Sequence, residues 1–260
     1  MDFQIDINCD MGESFGNYVL GQDAELLNYV SSANIACGFH AGDPLVMEKT
    51  VQLAVEKGVA IGAHPSYPDL QGFGRRKMDM TPDEIEALII YQIGALDGFV
   101  RAAGARLTHV KAHGMLYNVA AQEPVIAQAY ARAVFRYNPE LAFVCLATGP
   151  MMIEEGRKAG LRVVREAFAD RAYNADGSLV SRRLAGSLIT DPQQSAEQVV
   201  RLVKQGEIVA IDGTVLTLQA DTVCIHGDGS TAPAIARALK ERLEQEGIQI
   251  SVPIHEGQPV

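Results

Sequence analysis

Seven short apolar runs, most of them followed by a helical stretch, restrict the fold of this 260-residue chain more than any other feature. They read "FQIDINCD", "SSANIACG", "VAIGAHP", "LTHVKAHG", "LAFVCLAT", "LRVVREAFAD" and "DTVCIHGD". Helical stretches with recognisable ends stand between several of them. "DPLVMEKTVQLAVEKG" has an Asp cap, a proline in the first turn and a glycine stop, and "DPQQSAEQVVRLVKQG" repeats that plan. "TPDEIEALIIYQIGALDGFVRAAG" carries Thr81 with Glu84 three residues on, a capping-box pattern. "STAPAIARALKERLEQEG" closes the series. Strand followed by helix, repeated about seven times, predicts parallel strands in an α/β fold. The length suits a (β/α) barrel. A doubly wound open sheet is the alternative, but neither GxGxxG nor GxxxxGK[ST] occurs.

Two segments break the rhythm. Residues 171–189 form a long polar stretch with an Asp-Gly turn, and residues 207–220 read as a hairpin around a second Asp-Gly. No linker, low-complexity tract or internal repeat divides the chain, so one domain over residues 1–260 is expected. A hydrophobic content of 48% argues against disorder. A net charge of −10 argues against a nucleic-acid interface. No basic amphipathic segment suggests a membrane surface, no run has transmembrane length, and "MDFQIDINCDMGES" lacks the features of a signal peptide. Cys9, Cys37, Cys145 and Cys224 are far apart and form no CxxC, so buried, reduced thiols and a cytoplasmic location are expected.

Alternation along the strands sorts the polar residues. Asp6, Asn8 and Asp10 share one face of the first run, and His109, Lys111 and His113 share one face of the fourth. Glu166 and Asp170 share parity, as do His226 and Asp228, and His64 ends "GAHP". Any one buried His or Asp is more often structural than catalytic. Several polar strand ends together point to a site, because buried charge is costly and barrel enzymes work at the C-terminal ends of their strands. "NIACGFHAGDP" adds His40 between Gly38 and Gly42, just before Asp43 and Pro44 open a helix. That placement suggests a histidine held toward the site.

"DINCDMGESFG", "SANIACGFHAGDP", "GAHPSYPDLQGFGRR", "HVKAHGMLYN" and "REAFADRAYNADGSLVSR" occur in this order along nearly the whole chain. They resemble the LamB/YcsF family. Ala112 departs from the family's "HVKPHG", which alters backbone rather than a reactive group. The resemblance implies an irregular (β/α) barrel of about seven strands, related to the glycoside hydrolase and polysaccharide-deacetylase barrels. It also implies the A component of a 5-oxoprolinase, which works with the B and C components to open 5-oxo-L-proline to L-glutamate. A five-membered lactam is an unstrained amide, so opening it needs coupling to ATP. With no nucleotide motif here, ATP is expected to act through those partner proteins, with a divalent metal such as Mg accompanying the nucleotide.

That chemistry needs a base, a proton donor and cations. Asp10 or Glu13 suits the base, and His40, His64 and His113 suit proton transfer. Lys111 suits stabilisation of negative charge. Asn8, Asn34, Glu166 and Asp170 are candidate substrate contacts, and Arg75, Arg76, Arg171 and Arg182 are candidate carboxylate or phosphate clamps. An exposed or ion-paired arginine is the plainer account of those four. His226, Gly227, Asp228, Gly229 and Ser230 form a candidate phosphate loop before a helix start. The plainer account there is a tight turn with Ser230 as cap. A metal-dependent amide hydrolase with Asp10, His64 and His113 as ligands is a competing reading, although the spacing is no recognised metal signature. A non-catalytic lactam-binding protein is another.

Overall fold

The computed structural model describes residues 3–253; Met1 and Asp2, at the head of the opening segment, and residues 254–260 lie outside. In chain order the elements are β1 (Gln4–Met11), α1 (Asp23–Leu26), β2 (Ser32–Ala36), α2 (Pro44–Lys57), β3 (Ala60–His64), α3 (Pro82–Ala102), β4 (Leu107–Val110), α4 (Gly114–Ala120) and α5 (Pro124–Tyr137). Then follow β5 (Ala142–Leu146), α6 (Pro150–Lys158), β6 (Arg162–Phe168), α7 (Pro192–Gln205), β7 (Glu207–Val209), β8 (Val215–Thr217), β9 (Thr222–His226), α8 (Ala232–Gln245) and β10 (Gln249–Ile250).

Seven parallel strands run in the order β1-β2-β3-β4-β5-β6-β9, and pairing of β1 with β9 closes them into a barrel. The open-sheet alternative is thereby removed. The register Asp10↔Asn34 between β1 and β2, and Asp10↔His226 between β1 and β9, places three candidate side chains at one level. The short β10 pairs with the start of β1. The irregularity is one strand fewer than the usual eight. The segment between β6 and β9 holds the long polar stretch, α7 and the antiparallel β7–β8 hairpin, which lies at residues 207–217 as the Asp-Gly turn predicts.

Local signals explain the helices that the sequence marks. Asp43 accepts from Leu45 N and Val46 N at the start of α2, Thr81 and Glu84 complete a capping box on α3, and Asp191 accepts from Gln194 N on α7. Such caps satisfy backbone donors that have no partner within the helix. The apolar strand residues Ile5, Ile7, Cys9 and Met11 belong to the core packed beneath the helices. The opposite face, with Asp6, Asn8 and Asp10, is buried in the barrel interior. No described helix is long and apolar enough to cross a membrane.

Candidate active site at the C-terminal mouth of the barrel

Lys111, just past β4, is the centre of the interior. It is 2% exposed, and its Nζ lies 2.8 Å from Asp10 Oδ1 and 2.8 Å from Glu166 Oε1. The same nitrogen donates to Asn8 Oδ1 at 3.2 Å, lies 3.0 Å from Cys224 Sγ and stands 5.5 Å from the Phe168 ring centroid. Glu166 Oε1 makes the charge contact without hydrogen-bond alignment, while Oε2 accepts from Tyr117 Oη at 2.7 Å. Asn34 Nδ2 donates to Asn8 Oδ1 at 2.7 Å and to Asp10 Oδ1 at 2.9 Å, and His109 Nε2 meets Asn34 Oδ1 at 2.9 Å. Below them Asp6 accepts from Ser31, Ser32 and Thr222.

These contacts decide the charges. Burial alone would strip the proton from Lys111, but Asp10, Cys224 and Glu166 reverse that and raise its pKa well above the ordinary value. Burial likewise opposes ionisation of Asp10, yet His64 and Lys111 outweigh it and hold that carboxyl well below the usual range. Asp10 is therefore a fixed anion, poorly suited to take up protons near neutral pH.

A second group lies where four consecutive strands end. Glu13 follows β1, His40 follows β2, His64 ends β3 and His113 follows β4. Glu13 Oε1 is 3.2 Å from His40 Nε2 and 3.4 Å from His113 Nδ1, and His64 Nε2 is 3.0 Å from His113 Nδ1 and 3.4 Å from Asp10 Oδ2. The His40 and His113 rings stack with centroids 3.8 Å apart. Burial raises the Glu13 pKa well above the ordinary value, with the charges of Asp10 and Asp228 adding to it. Burial also pushes His40 and His113 well below the ordinary histidine value, helped by neighbouring imidazoles. Of the two candidate bases, the electrostatics favour Glu13.

The backbone that presents these groups is specialised. Gly38 and Gly42 have φ of 92° and 80°, and a Cβ on Gly42 would meet Gly12 O at 3.0 Å. The His40 turn therefore needs glycine on both sides. Asp43, besides capping α2, accepts from Gly16 N at 2.7 Å and ties the β1 loop to the turn. Phe73 is the one non-glycine residue with positive φ (54°) among those described. Its carbonyl accepts from His113 Nε2 at 2.9 Å. Such a conformation costs on the order of 1–3 kcal/mol and marks a position fixed by its surroundings.

The remaining candidates divide. Asp170 accepts from His226 N at 3.0 Å and faces His226 Nδ1 at 3.0 Å; burial opposes its ionisation, but His226 holds its pKa down. Arg75 reaches across the mouth to Asp228, Nη2 to Oδ2 at 2.8 Å, and lies over the Phe73 ring at 4.8 Å. Arg76 instead pairs with Asp69. Arg171 donates from Nε to the Ser187 carbonyl and from Nη2 to the Val180 carbonyl, and so pins the 172–189 segment. Arg182 is half-buried, and its charge acts on Asp170. In the candidate phosphate loop, Gly227 is fixed by packing: a Cβ there would sit 2.3 Å from Asp10 O. Asp228 is engaged by Arg75, and Gly229 and Ser230 are exposed. The cap of α8 is Thr231 rather than Ser230, and it makes no side-chain cap bond.

Four participants escape a reading of motifs. Tyr117 sits on α4 and reaches Glu166 only through the fold, and Phe73 acts through its carbonyl. Cys224 shares strand parity with His226, and Phe168 with Glu166, so alternation alone would have turned both inward.

Known proteins share this architecture. Residues 5–258 match the model of the LamB/YcsF family. A protein of Clostridium beijerinckii, named as the A component of 5-oxoprolinase, is 49% identical over 97% of this chain and 98% of its own length. One of the same name from Chloroflexus aggregans is 55% identical over 96% of this chain and 98% of its own. The crystal structure of a lactam utilization protein from Thermus thermophilus superposes with a TM-score of 0.90, at 48% identity over 95% of this chain and 98% of that one. A deacetylase and a GH113 β-1,4-mannanase share the fold alone, at TM-scores of 0.51 and 0.52 with 15% and 10% identity. The chain belongs to the LamB/YcsF family.

Proposed function

We propose that this chain is the A component of an ATP-driven 5-oxoprolinase and carries the site where the lactam ring of 5-oxo-L-proline is opened to L-glutamate. The observation behind this is the buried Lys111 cation between Asp10 and Glu166, adjoining the Glu13–His40–His64–His113 group. That arrangement occurs in a chain about half identical, over nearly its full length, to proteins named as the A component of 5-oxoprolinase. In this reading a partner transfers the terminal phosphoryl group of ATP to the amide oxygen and releases ADP. Water oxygen then bonds to the ring carbon, and the carbon–nitrogen bond breaks with the nitrogen keeping the electron pair and taking a proton. A second water cleaves the resulting acyl phosphate to L-glutamate and phosphate. Glu13, with its raised pKa, is the better acceptor for the water proton, and the neighbouring imidazoles carry protons toward the leaving nitrogen. Lys111 is a preorganised positive charge for the negative charge that develops on the oxygens at the reacting carbon. Arg75, paired with Asp228 at the mouth, is the proposed partner of the substrate carboxylate, which would take the place of Asp228.

ATP and its divalent metal belong, in this reading, to the partner B and C components, because the chain has no glycine-rich nucleotide motif. Four free, buried cysteines suit a reducing compartment such as the cytoplasm. The test is 5-oxoproline conversion by the reconstituted complex with and without this chain. Glutamate formation that needs the chain, and that Glu13→Gln abolishes while the fold is kept, supports the reading. Full-rate conversion by the partners alone refutes it.

A further inference from the structure

The hydrogen bonds of His64 and His113 leave a problem of protons. His64 Nδ1 lies 2.7 Å from the Lys111 carbonyl, and His113 Nε2 lies 2.9 Å from the Phe73 carbonyl. A carbonyl oxygen only accepts, so each far nitrogen carries a proton. When neither ring carries a second proton, the near nitrogens, His64 Nε2 and His113 Nδ1, face each other at 3.0 Å with a lone pair each. A third acceptor, Glu13 Oε1, lies 3.4 Å from His113 Nδ1 and 3.2 Å from His40 Nε2. One ligand-type atom from each of the four residues lies within 4.8 Å of the other three, and all four side chains are buried. Lone pairs packed this closely repel unless a positive charge sits among them.

We propose that Glu13 Oε1, His40 Nε2, His64 Nε2 and His113 Nδ1 bind a divalent transition-metal ion of the zinc type. A tetrahedral site with metal–ligand bonds of about 2.0–2.1 Å has edges of about 3.3 Å. The separations of 3.0, 3.2 and 3.4 Å match that spacing. Three imidazoles and a carboxylate select zinc-like ions over Mg²⁺ and Ca²⁺, which prefer all-oxygen surroundings. The carbonyls of Lys111 and Phe73 are the outer partners that fix tautomer and ring direction in metal-binding histidines. They also give the strained backbone at Phe73 a purpose. The ligand set differs from the Asp10, His64 and His113 weighed from sequence, because Lys111 and Asn34 hold Asp10 instead. The ion's catalytic use rests on the lactam-opening reading: four protein ligands close a tetrahedron, so a water would have to enter as a fifth ligand for the ion to lower its pKa.

The experiment uses the purified full chain without a histidine tag, stripped with chelator and titrated with Zn²⁺, Co²⁺ and Mg²⁺. Metal content per chain, the visible spectrum of bound Co²⁺ and the melting temperature are the readouts. The expected result is one Zn²⁺ or Co²⁺ per chain, a raised melting temperature and no competition by Mg²⁺. Glu13→Gln and His40→Ala should each weaken binding by at least about tenfold, while His109→Gln, a buried histidine outside the group, keeps it. Failure of the wild-type chain to bind Zn²⁺ or Co²⁺ stoichiometrically overturns the proposal, since protons then occupy these positions. Binding that survives both ligand substitutions overturns it too. Should either variant misfold, the wild-type stoichiometry and Co²⁺ spectrum decide. Metal bound by a chain whose complex does not open 5-oxoproline would refute the lactam reading and leave the ion standing. Ring opening by a complex whose chain binds no metal would do the reverse.

Discussion

Lys111→Met is the substitution that most directly tests how the barrel interior is held together. Methionine approximates the volume of the lysine stem, so the change removes charge and donors while leaving little cavity. Asp10 and Glu166, each 2.8 Å from the ammonium, are then left in the interior without their shared cation. Removing one partner of a buried ion pair costs about 3–5 kcal/mol, because the remaining charge stays desolvated. Asn34 still donates to Asp10 and Tyr117 still donates to Glu166, which argues for the lower half of that range. Urea unfolding followed by far-ultraviolet circular dichroism is the suitable assay, since the chain has no tryptophan for fluorescence. Glu166→Gln alone should cost about 1–3 kcal/mol, as Lys111 keeps Asp10. The double variant should be destabilised by less than the sum of the two, because the second change removes one of the stranded carboxylates. Turnover of the reconstituted complex should fall on the order of a hundredfold or more in Lys111→Met if the cation stabilises the oxyanion. A stability within about 1 kcal/mol of wild type, or strict additivity of the two changes, would refute the buried-charge account.

Burial, with added repulsion from Lys111, holds the His109 pKa down at about 3, below the ordinary value of 6.5. The unfolded chain therefore takes up a proton that the folded chain excludes, and stability falls as pH drops from 6.5 toward 3 by up to about 1.4 kcal/mol per unit; His109→Gln should flatten that part of the urea-midpoint profile. Gly227→Ala places a Cβ 2.3 Å from Asp10 O; the displacement should cost about 1–3 kcal/mol by urea unfolding and lower turnover by moving Asp10. Tyr117→Phe leaves Glu166 Oε2 without its donor at 2.7 Å, and a loss of about 1–3 kcal/mol is expected by the same assay. Arg75→Ala breaks a pair at the mouth whose arginine side chain is 38% exposed, so stability should stay within about 1 kcal/mol of wild type in thermal melts, while the substrate KM rises if Arg75 holds the carboxylate.

The strands were legible because each is short, apolar on its outer face and bounded by turn residues, and alternation then assigned Asp6, Asn8, Asp10 and Lys111 to the interior. α2, α3 and α7 were legible because an Asp or Thr cap with a following proline announces them. α4, α5 and α6 carry no such mark: His113, Glu123 and Gly149 stand at their caps and none makes a side-chain cap bond. Those helices are held by packing, which a local pattern does not report. Within the site, residue type and strand-end position picked out Glu13, His40, His64 and His113 as candidates. Their tautomers were not legible, because they depend on the carbonyls of Lys111 and Phe73, brought close by the closure of separate loops. Arg171 suits an anion clamp by residue type, and only the fold shows that its Nε and Nη2 hold the Ser187 and Val180 carbonyls.

A (β/α) barrel ordinarily fills its interior with branched aliphatic side chains. Here Ala142, Val144 and Val164 form only a small apolar group apart from the main core. Through the interior beside Phe168 and Cys224 runs a hydrogen-bonded polar column from Asp6 through Asn8 and Asn34 to Asp10 and Lys111. Such a column stabilises only when each member is satisfied, because an unpaired polar group in a dry interior costs more than the bond contributes. The helix-facing core therefore supplies the bulk of the folding free energy, while the column fixes the positions of Asp10 and Lys111 from below. Lys111 and Asp10 hold each other charged there, whereas burial raises the pKa of Glu13 at the mouth. Asp6 and Thr222 reach the site through the position of Asn8: Thr222 donates to Asp6 and accepts from Asn8, whose Oδ1 accepts from Lys111 and Asn34.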